Sequence, residues 1–248
     1  MTPLLRICDI SKAYSDGPGE ITVFKRASLT IEAGAQIAVH GERCSGKSTL
    51  MRIAAGIDHP DAGTVHFGVR DLAGLSTFEQ ARLLRSQIAY LAVSDWRPNA
   101  GESVAGHLAV SLGGDGLTVH EAERRALREL DRVGISAGQA HAPAMRLSML
   151  DRARVMLARA LAHNPALIVI DEPVLTPSAY ERDRLYELMH TLARERNISL
   201  LVASGEFTAL SGFDTLMSIS GGELLTSEGS SNVVTLNPRL GPVLDTGS

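Results

Sequence analysis

Gln36-Ile37-Ala38-Val39-His40-Gly41-Glu42-Arg43-Cys44-Ser45-Gly46-Lys47-Ser48-Thr49 decides the fold of this chain. Residues 36–40 form a short apolar run of strand type, and 47–57 carry the spacing of a helix. Between them stands Gly-x-x-x-x-Gly-Lys-Ser. Glycines at 41 and 46 let successive backbone N–H groups converge on phosphate oxygens, and the start of the following helix adds positive potential. A strand before and a helix after separate such a loop from a chance match in a turn. The loop predicts a nucleotide site built from Gly41, Glu42, Arg43, Cys44, Ser45, Gly46, Lys47, Ser48 and Thr49. Lys47 is expected to reach the β- and γ-phosphates, and the Ser48 hydroxyl to ligate Mg2+.

The second chemical signal is Asp171-Glu172-Pro173, which ends the apolar run Leu167-Ile168-Val169-Ile170. Two carboxylates at the end of a buried strand are costly unless they serve a cation or a reacting water. Asp171 suits the Mg2+ shell, and Glu172 suits a general base that orients the attacking water. Helix capping before Pro173 is the alternative reading of the pair.

Working outward, residues 4–40 read as an antiparallel β region. Its strand-like runs are Leu5 to Ile10, Ile21 to Lys25 and Ser28 to Glu32, separated by turn formers such as Asp16-Gly17-Pro18-Gly19. Capping boxes at Ser76-x-x-Glu79 and Thr118-x-x-Glu121 open two helices. Ala126, Leu130 and Val133 mark one stripe of the second, which stops at Gly134. Further helices are expected over Met149 to His163 and Ala179 to Arg196, with strands at Ile88 to Val93 and Ile198 to Ala203. Strands buried on both faces and alternating with helices predict a largely parallel sheet. The expected fold is α/β: a P-loop ATPase core with an N-terminal antiparallel β region and an inserted helical subdomain at about 94–150. Residues 1–226 form the nucleotide-binding domain in this reading, and 227–248, rich in Ser, Gly and Pro, a flexible tail.

Composition narrows the function. A net charge of −4 argues against a nucleic-acid partner, because phosphate backbones are held by clustered Lys and Arg. No apolar run approaches the roughly 20 residues that cross a bilayer, and Met1 to Arg6 shows no secretion signal. The chain reads as cytoplasmic, with any membrane association made through a partner. Cys8 and Cys44 give no disulfide framework, and the eight histidines show no metal-ligand spacing. Cys44 reads as a passive loop residue whose alkylation blocks nucleotide. Cys8 and Trp96 read as packing residues.

The order of these motifs, with Leu147-Ser148 placed ahead of Asp171-Glu172-Pro173, resembles the nucleotide-binding subunits of ABC transporters over roughly residues 4–226. Arg154-Val155-x-x-Ala158-Arg159-Ala160-Leu161-x-x-x-Pro165 matches the stretch joining that family's signature motif to its Asp-Glu strand. Gly56-Ile57-Asp58-x-Pro60-x-x-Gly63-x-Val65, with Asp71-Leu72-x-x-Leu75-Ser76, is similar to the lipoprotein-releasing and macrolide-export branch. The resemblance implies that Tyr14 stacks on adenine, where a Tyr in a loop is otherwise a packing residue. It also implies that Ser148 meets the γ-phosphate held by an opposite subunit.

The chain departs from the family at four places. The signature Leu-Ser-Gly-Gly-Gln is here Leu147-Ser148-Met149-Leu150-Asp151. The glutamine expected at the end of the 88–93 strand is Val93, the switch histidine is Ser204, and the Leu-Asp pair beyond Pro173 is Pro177-Ser178. Met149 and Leu150 put side chains where backbone must approach closely. Asp151 caps the helix from Ser148 but repels a phosphate.

The resemblance implies an ATP-binding subunit, with ATP and Mg2+ as cofactors, that docks on a membrane permease at the inner face of the cell membrane. The departures imply slow hydrolysis and a second ATP-binding subunit that is a different chain. A nucleotide-gated regulatory or structural subunit with little turnover is the second reading. A cytosolic ATPase acting on macromolecules is the third, and the absence of a basic surface counts against it.

Overall fold

The computed structural model describes residues 2–16, 19–92, 95–113, 116–173 and 178–226. Two sheets organise the chain. The first is antiparallel, with strand order β2-β1-β4-β5, formed by β1 (Leu5–Asp16), β2 (Gly19–Ile31), β4 (Ala62–Phe67) and β5 (Arg70–Asp71). The second has order β10-β9-β3-β8-β7-β6. It comprises β3 (Gln36–His40), β6 (Ile88–Ala92), β7 (Leu167–Asp171), β8 (Ser199–Ser204), β9 (Thr215–Ser220) and β10 (Glu223–Thr226). Its strands pair in parallel except β10, which closes one edge as an antiparallel partner of β9.

The expected α/β architecture is therefore present, and so is the antiparallel N-terminal region. Its three short runs are, however, two long strands. Residues 11–16 carry Ser, Lys and Asp, which hide strand character in a hairpin with exposed positions. The break read near residues 26–28 is a bulge. The register between β1 and β2 shifts between Ile7 and Ile10, Arg26 has φ 104°, Asp9 has φ 48°, and the Ser28 hydroxyl accepts the Asp9 N–H at 2.9 Å. A bulge keeps a strand continuous while interrupting its alternation, which is the signal that sequence reading follows.

Seven α-helices are described. These are α1 (Lys47–Ala54), α2 (Thr77–Ser86), α3 (Val104–Leu112), α4 (Val119–Arg132), α5 (Ala137–His141), α6 (Met149–Ala162) and α7 (Ala179–Glu195). Helix α1 stops three residues short of the expected Ile57, because Gly56 takes φ 73° and turns the chain away. Capping boxes close the starts of α2 and α4 as read, and a third stands at Ser136 and Gln139 ahead of α5.

The parallel sheet is buried on both faces, and alternate residues of each strand enter different cores. Val39, Val169, Leu201 and Ala203 face α1 and the antiparallel sheet. Ala38, Ile168, Ile170, Leu200 and Val202 face α6, α7 and the helices between β6 and α6. Burial of this kind stabilises by roughly 25 cal/mol per Å² of apolar surface removed from water. It also fixes register, since a one-residue slip exchanges the two faces. Among the described residues no helix is long and apolar enough to cross a membrane.

One buried charge ties the helical segment to the core. Glu129 of α4 is 6% exposed. It accepts from Arg132 at 2.9 Å and from Arg196, just past α7, at 2.6 Å, and Arg196 also donates to the Leu161 carbonyl at 2.9 Å. Without Glu129, the half-exposed Arg132 turns to water and Arg196 keeps only the Leu161 carbonyl. Glu129→Ala is therefore expected to lower unfolding stability by roughly 1–3 kcal/mol at neutral pH, measured by urea denaturation.

Candidate functional site

The candidate site lies at the C-terminal ends of β3, β7 and β8. Parallel register places His40, Asp171 and Ser204 along this one edge: His40 pairs with Ser204, and Asp171 with Ala203. The loop after β3 folds tightly on itself. Ser45 N–H donates to the Glu42 carbonyl at 3.2 Å, Cys44 takes φ 63° and Gly46 takes φ 101°. A Cβ on Gly41 would stand 2.4 Å from the Ser45 hydroxyl oxygen, and one on Gly46 would stand 2.5 Å from a methyl of Val23. Space and conformation thus require glycine at 46, while a side chain at 41 would displace the Ser45 hydroxyl. Gly46 caps α1 without any side-chain hydrogen bond, so the first-turn N–H groups stay available to an anion.

Lys47 is buried at 7% exposure, and its ammonium is already engaged. It donates to the carbonyls of Gly41 at 2.8 Å and Glu42 at 2.9 Å, and stands 3.4 Å from Glu172 Oε1. The loop, the lysine and the carboxylate read from sequence are therefore in one place. Glu172 adopts φ 49°, held there by its own N–H bonded to the Ala203 carbonyl at 3.1 Å. That conformation, rare for a side chain with a Cβ, was not legible in the sequence.

Asp171 offers the fit test for a cation. Its Oδ2 accepts from the Tyr90 hydroxyl at 3.4 Å, while Oδ1 is buried without a hydrogen-bond partner. A buried carboxylate oxygen left unpaired is costly, and a divalent ion satisfies it. A carboxylate oxygen suits Mg2+, a hard cation that prefers oxygen. Burial, then the Asp171 charge, push the Tyr90 phenol above its ordinary range, so it remains a donor to that carboxylate. Tyr90 escaped the sequence reading, because only the β6–β7 pairing brings it here.

The hairpin of β1 and β2 leans on the loop through Val23 and Phe24, whose side chains lie beneath Gly46. Phe24 registers with Lys12 and Ile21 with Tyr14, so the strand carrying Tyr14 runs alongside. Tyr14 is partly exposed, and the Lys12 ammonium sits 5.4 Å from its ring centroid.

Ser148 stands apart from the loop. Its hydroxyl accepts from Asp151 N–H at 3.1 Å and donates to the Asp151 carboxylate at 2.9 Å. Asp151 stands at the helix start with Ser148 as expected, and its carboxylate is also paired with Arg154 at 3.3 Å and bonded to Gln139 at 3.2 Å. Leu150 packs on the core, so of the two apolar side chains only Met149 projects strongly, at 41% exposure. Trp96 is a packing residue as expected, edge-on to His107 at 4.8 Å. Val93 and Pro177 lie outside the described residues.

The sequence profile of ABC transporters matches residues 24–175. The chain belongs to the ABC transporter family. The lipoprotein-releasing system ATP-binding protein LolD of Legionella pneumophila (strain Paris) is 30% identical over 218 residues, spanning 88% of this chain and 95% of that protein. LolD of Shewanella denitrificans is 32% identical over 230 residues, spanning 92% and 97%. A dimeric ATP-binding cassette in a post-hydrolysis state, bound to ADP and Pi, has the same fold at TM-score 0.81. It is 22% identical, with 89% of this chain and 96% of that one covered. The cbiO1 protein of Clostridium perfringens, part of the transporter complex cbiONQ, gives TM-score 0.78 at 22% identity, covering 91% and 88%. The branch read from residues 56–76 is thus represented among the relatives of this ABC chain.

The steric wall around Gly46 makes a sharp test of the loop geometry of this ABC chain. Gly46→Ala adds a methyl against Val23 and Phe24 at a φ that alanine resists. It is expected to lower stability by roughly 1–3 kcal/mol in urea denaturation and to abolish ATP binding in calorimetry.

Proposed function

We propose that this chain is the ATP-binding subunit of an ABC transporter, binding Mg-ATP to close against a second ATP-binding chain on a membrane permease, with slow hydrolysis. The observation that carries the reading is the buried Lys47 ammonium, held between two loop carbonyls and Glu172. A cation kept in place beside a cradle of N–H groups is preorganised for a polyphosphate. Loop residues 41–49 hold the phosphates, Tyr14 faces the base, and Ser48 with Asp171 hold Mg2+. When bound, Mg2+ neutralises developing charge on the phosphate oxygens. Glu172 orients the attacking water and takes its proton.

Two observations support slow turnover. Ser204 is buried, and its hydroxyl is engaged by Glu206 N–H at 3.1 Å and by Tyr186. Burial pushes the Tyr186 phenol up to about 12, so it stays protonated and neutral at physiological pH. Neither group carries positive charge toward a phosphate, and losing one such contact commonly costs roughly 10²–10³ in rate. The altered signature supports pairing with a different chain. In a homodimer every nucleotide would meet Met149, whereas a partner with glycines at this place lets backbone approach this chain's Lys47 site. A cleft of about 390 Å3 is lined by Ser148, Asp151, Arg154 and Tyr180. The nucleotide-gated subunit with little turnover is the second reading, and the same engaged Ser204 favours it.

Lys47→Ala is expected to lower ATP affinity at least a hundredfold by calorimetry, and equal affinity would remove the nucleotide reading. Glu172→Gln is expected to keep ATP binding while ending phosphate release. Brisk wild-type release would exclude slow hydrolysis, and none above the Glu172→Gln background would favour the second reading. Co-expression with a candidate permease and partner ATPase, followed by mass measurement of the detergent-solubilised complex, is expected to show one copy of this chain. Two copies and no other ATPase would overturn the pairing.

A further inference from the structure

The unused group nearest the candidate site is His40. It ends β3, precedes Gly41 directly, and pairs in register with Ser204 at the end of β8. Neighbouring strands lie about 4.8 Å apart, and registered residues send their side chains to the same face. Ala38 and Val202, two residues earlier on each strand, both face the core of α6 and α7, so His40 and Ser204 share that face. Gly205 follows at once. A Cβ built there would lie 3.6 Å from Glu172 Oε1 and 3.8 Å from the Gly41 carbonyl oxygen. Residues 40, 41, 172, 204 and 205 thus border one small volume that also receives the Lys47 ammonium.

The His40 ring is placed but not bonded. It packs edge-on against Phe207 with centroids 5.5 Å apart, and its Nδ1 is buried without a hydrogen-bond partner. Buried polar atoms are nearly always paired, so an unpaired ring nitrogen on the residue that precedes Gly41 marks a group kept for a ligand. Ser204 cannot serve instead, since its hydroxyl is already engaged by Glu206 and Tyr186.

We propose that His40 is a further catalytic residue for ATP hydrolysis, donating a ring N–H to the terminal phosphate as it passes to water. The proposal rests on the ATP-binding reading above. In the step, the water oxygen bonds to the γ-phosphorus, and the bond to the bridging oxygen breaks with its electron pair leaving on ADP. Glu172 takes the water proton and releases it to solvent, and His40 keeps its own. Charge grows on the γ-phosphate oxygens during this step, and a preorganised donor there acts mainly on the rate. A ring N–H from the adjacent strand thereby offsets part of the contact absent at residue 204.

The test uses the full chain with Mg-ATP, reading phosphate release at saturating nucleotide and ATP affinity by calorimetry. His40→Leu keeps the contact with Phe207 and is expected to lower the rate about a hundredfold, with affinity within threefold of wild type. Ser204→His in that background is expected to recover at least tenfold, while Ser204→His alone adds less than tenfold, because one donor already stands there. A His40→Leu rate within threefold of wild type, or a loss confined to affinity, would overturn the role. Should His40→Leu fail to fold, Ser204→His alone decides: a hundredfold rise would show that no imidazole had been acting. A wild-type rate no higher than that of Glu172→Gln also overturns it. Absence of ATP binding in the wild type would instead overturn the underlying reading.

Discussion

Burying the Lys47 ammonium constrains everything around it. A charge taken out of water must find several polar partners, and here two come from the backbone of its own loop. The carbonyls of Gly41 and Glu42 can point inward only if the loop curls tightly. That curl demands left-handed backbone at Cys44 and Gly46 and sets Gly41 close against the Ser45 hydroxyl. The third partner, Glu172, comes from β7, separated from β3 by β8. The ion therefore links a local turn to a non-local sheet, and neither can shift without leaving the ammonium unpaired.

The sheet meets this demand through its two-sided burial. Because alternate residues of β3, β7 and β8 enter separate cores, register is fixed from both faces and the strand ends align. Asp171 and Glu172 then fall where the strand leaves its apolar surroundings. The antiparallel sheet contributes differently: Val23 and Phe24 form a floor under Gly46, so the hairpin shapes the loop from outside while carrying Tyr14 alongside.

The legible parts of the fold were those written in short-range pattern. The loop, α1, the apolar β7 run, both capping boxes and the alternation of strands and helices are local statements, and each stands where its residues placed it. Strand continuity through the β1–β2 bulge was not legible, because a bulge is a relation between two strands and leaves no mark on one. The same reason hid Tyr90 beside Asp171 and His40 beside Ser204. Residue type named the candidate ligands, but which polar atom lacks a partner depends on neighbours far apart in sequence. Glu172 illustrates both sides: its chemistry followed from its place after β7, while its positive φ followed from a bond to β8.

The three capping boxes, before α2, α4 and α5, have a consequence for how the chain assembles. Each joins residues three apart, so these helix starts can form while the rest of the chain is still unstructured. Single helices relax in about 0.1–1 μs. The parallel strands cannot keep that pace, since β3 must find β8 more than 150 residues later and so close a long loop before any ladder bond forms. During synthesis the residues of β3 emerge early and have no parallel partner until those of β8 arrive. Until then an apolar strand that will end buried on both faces lacks its neighbours, and the early-forming helices stand between it and the partner it awaits.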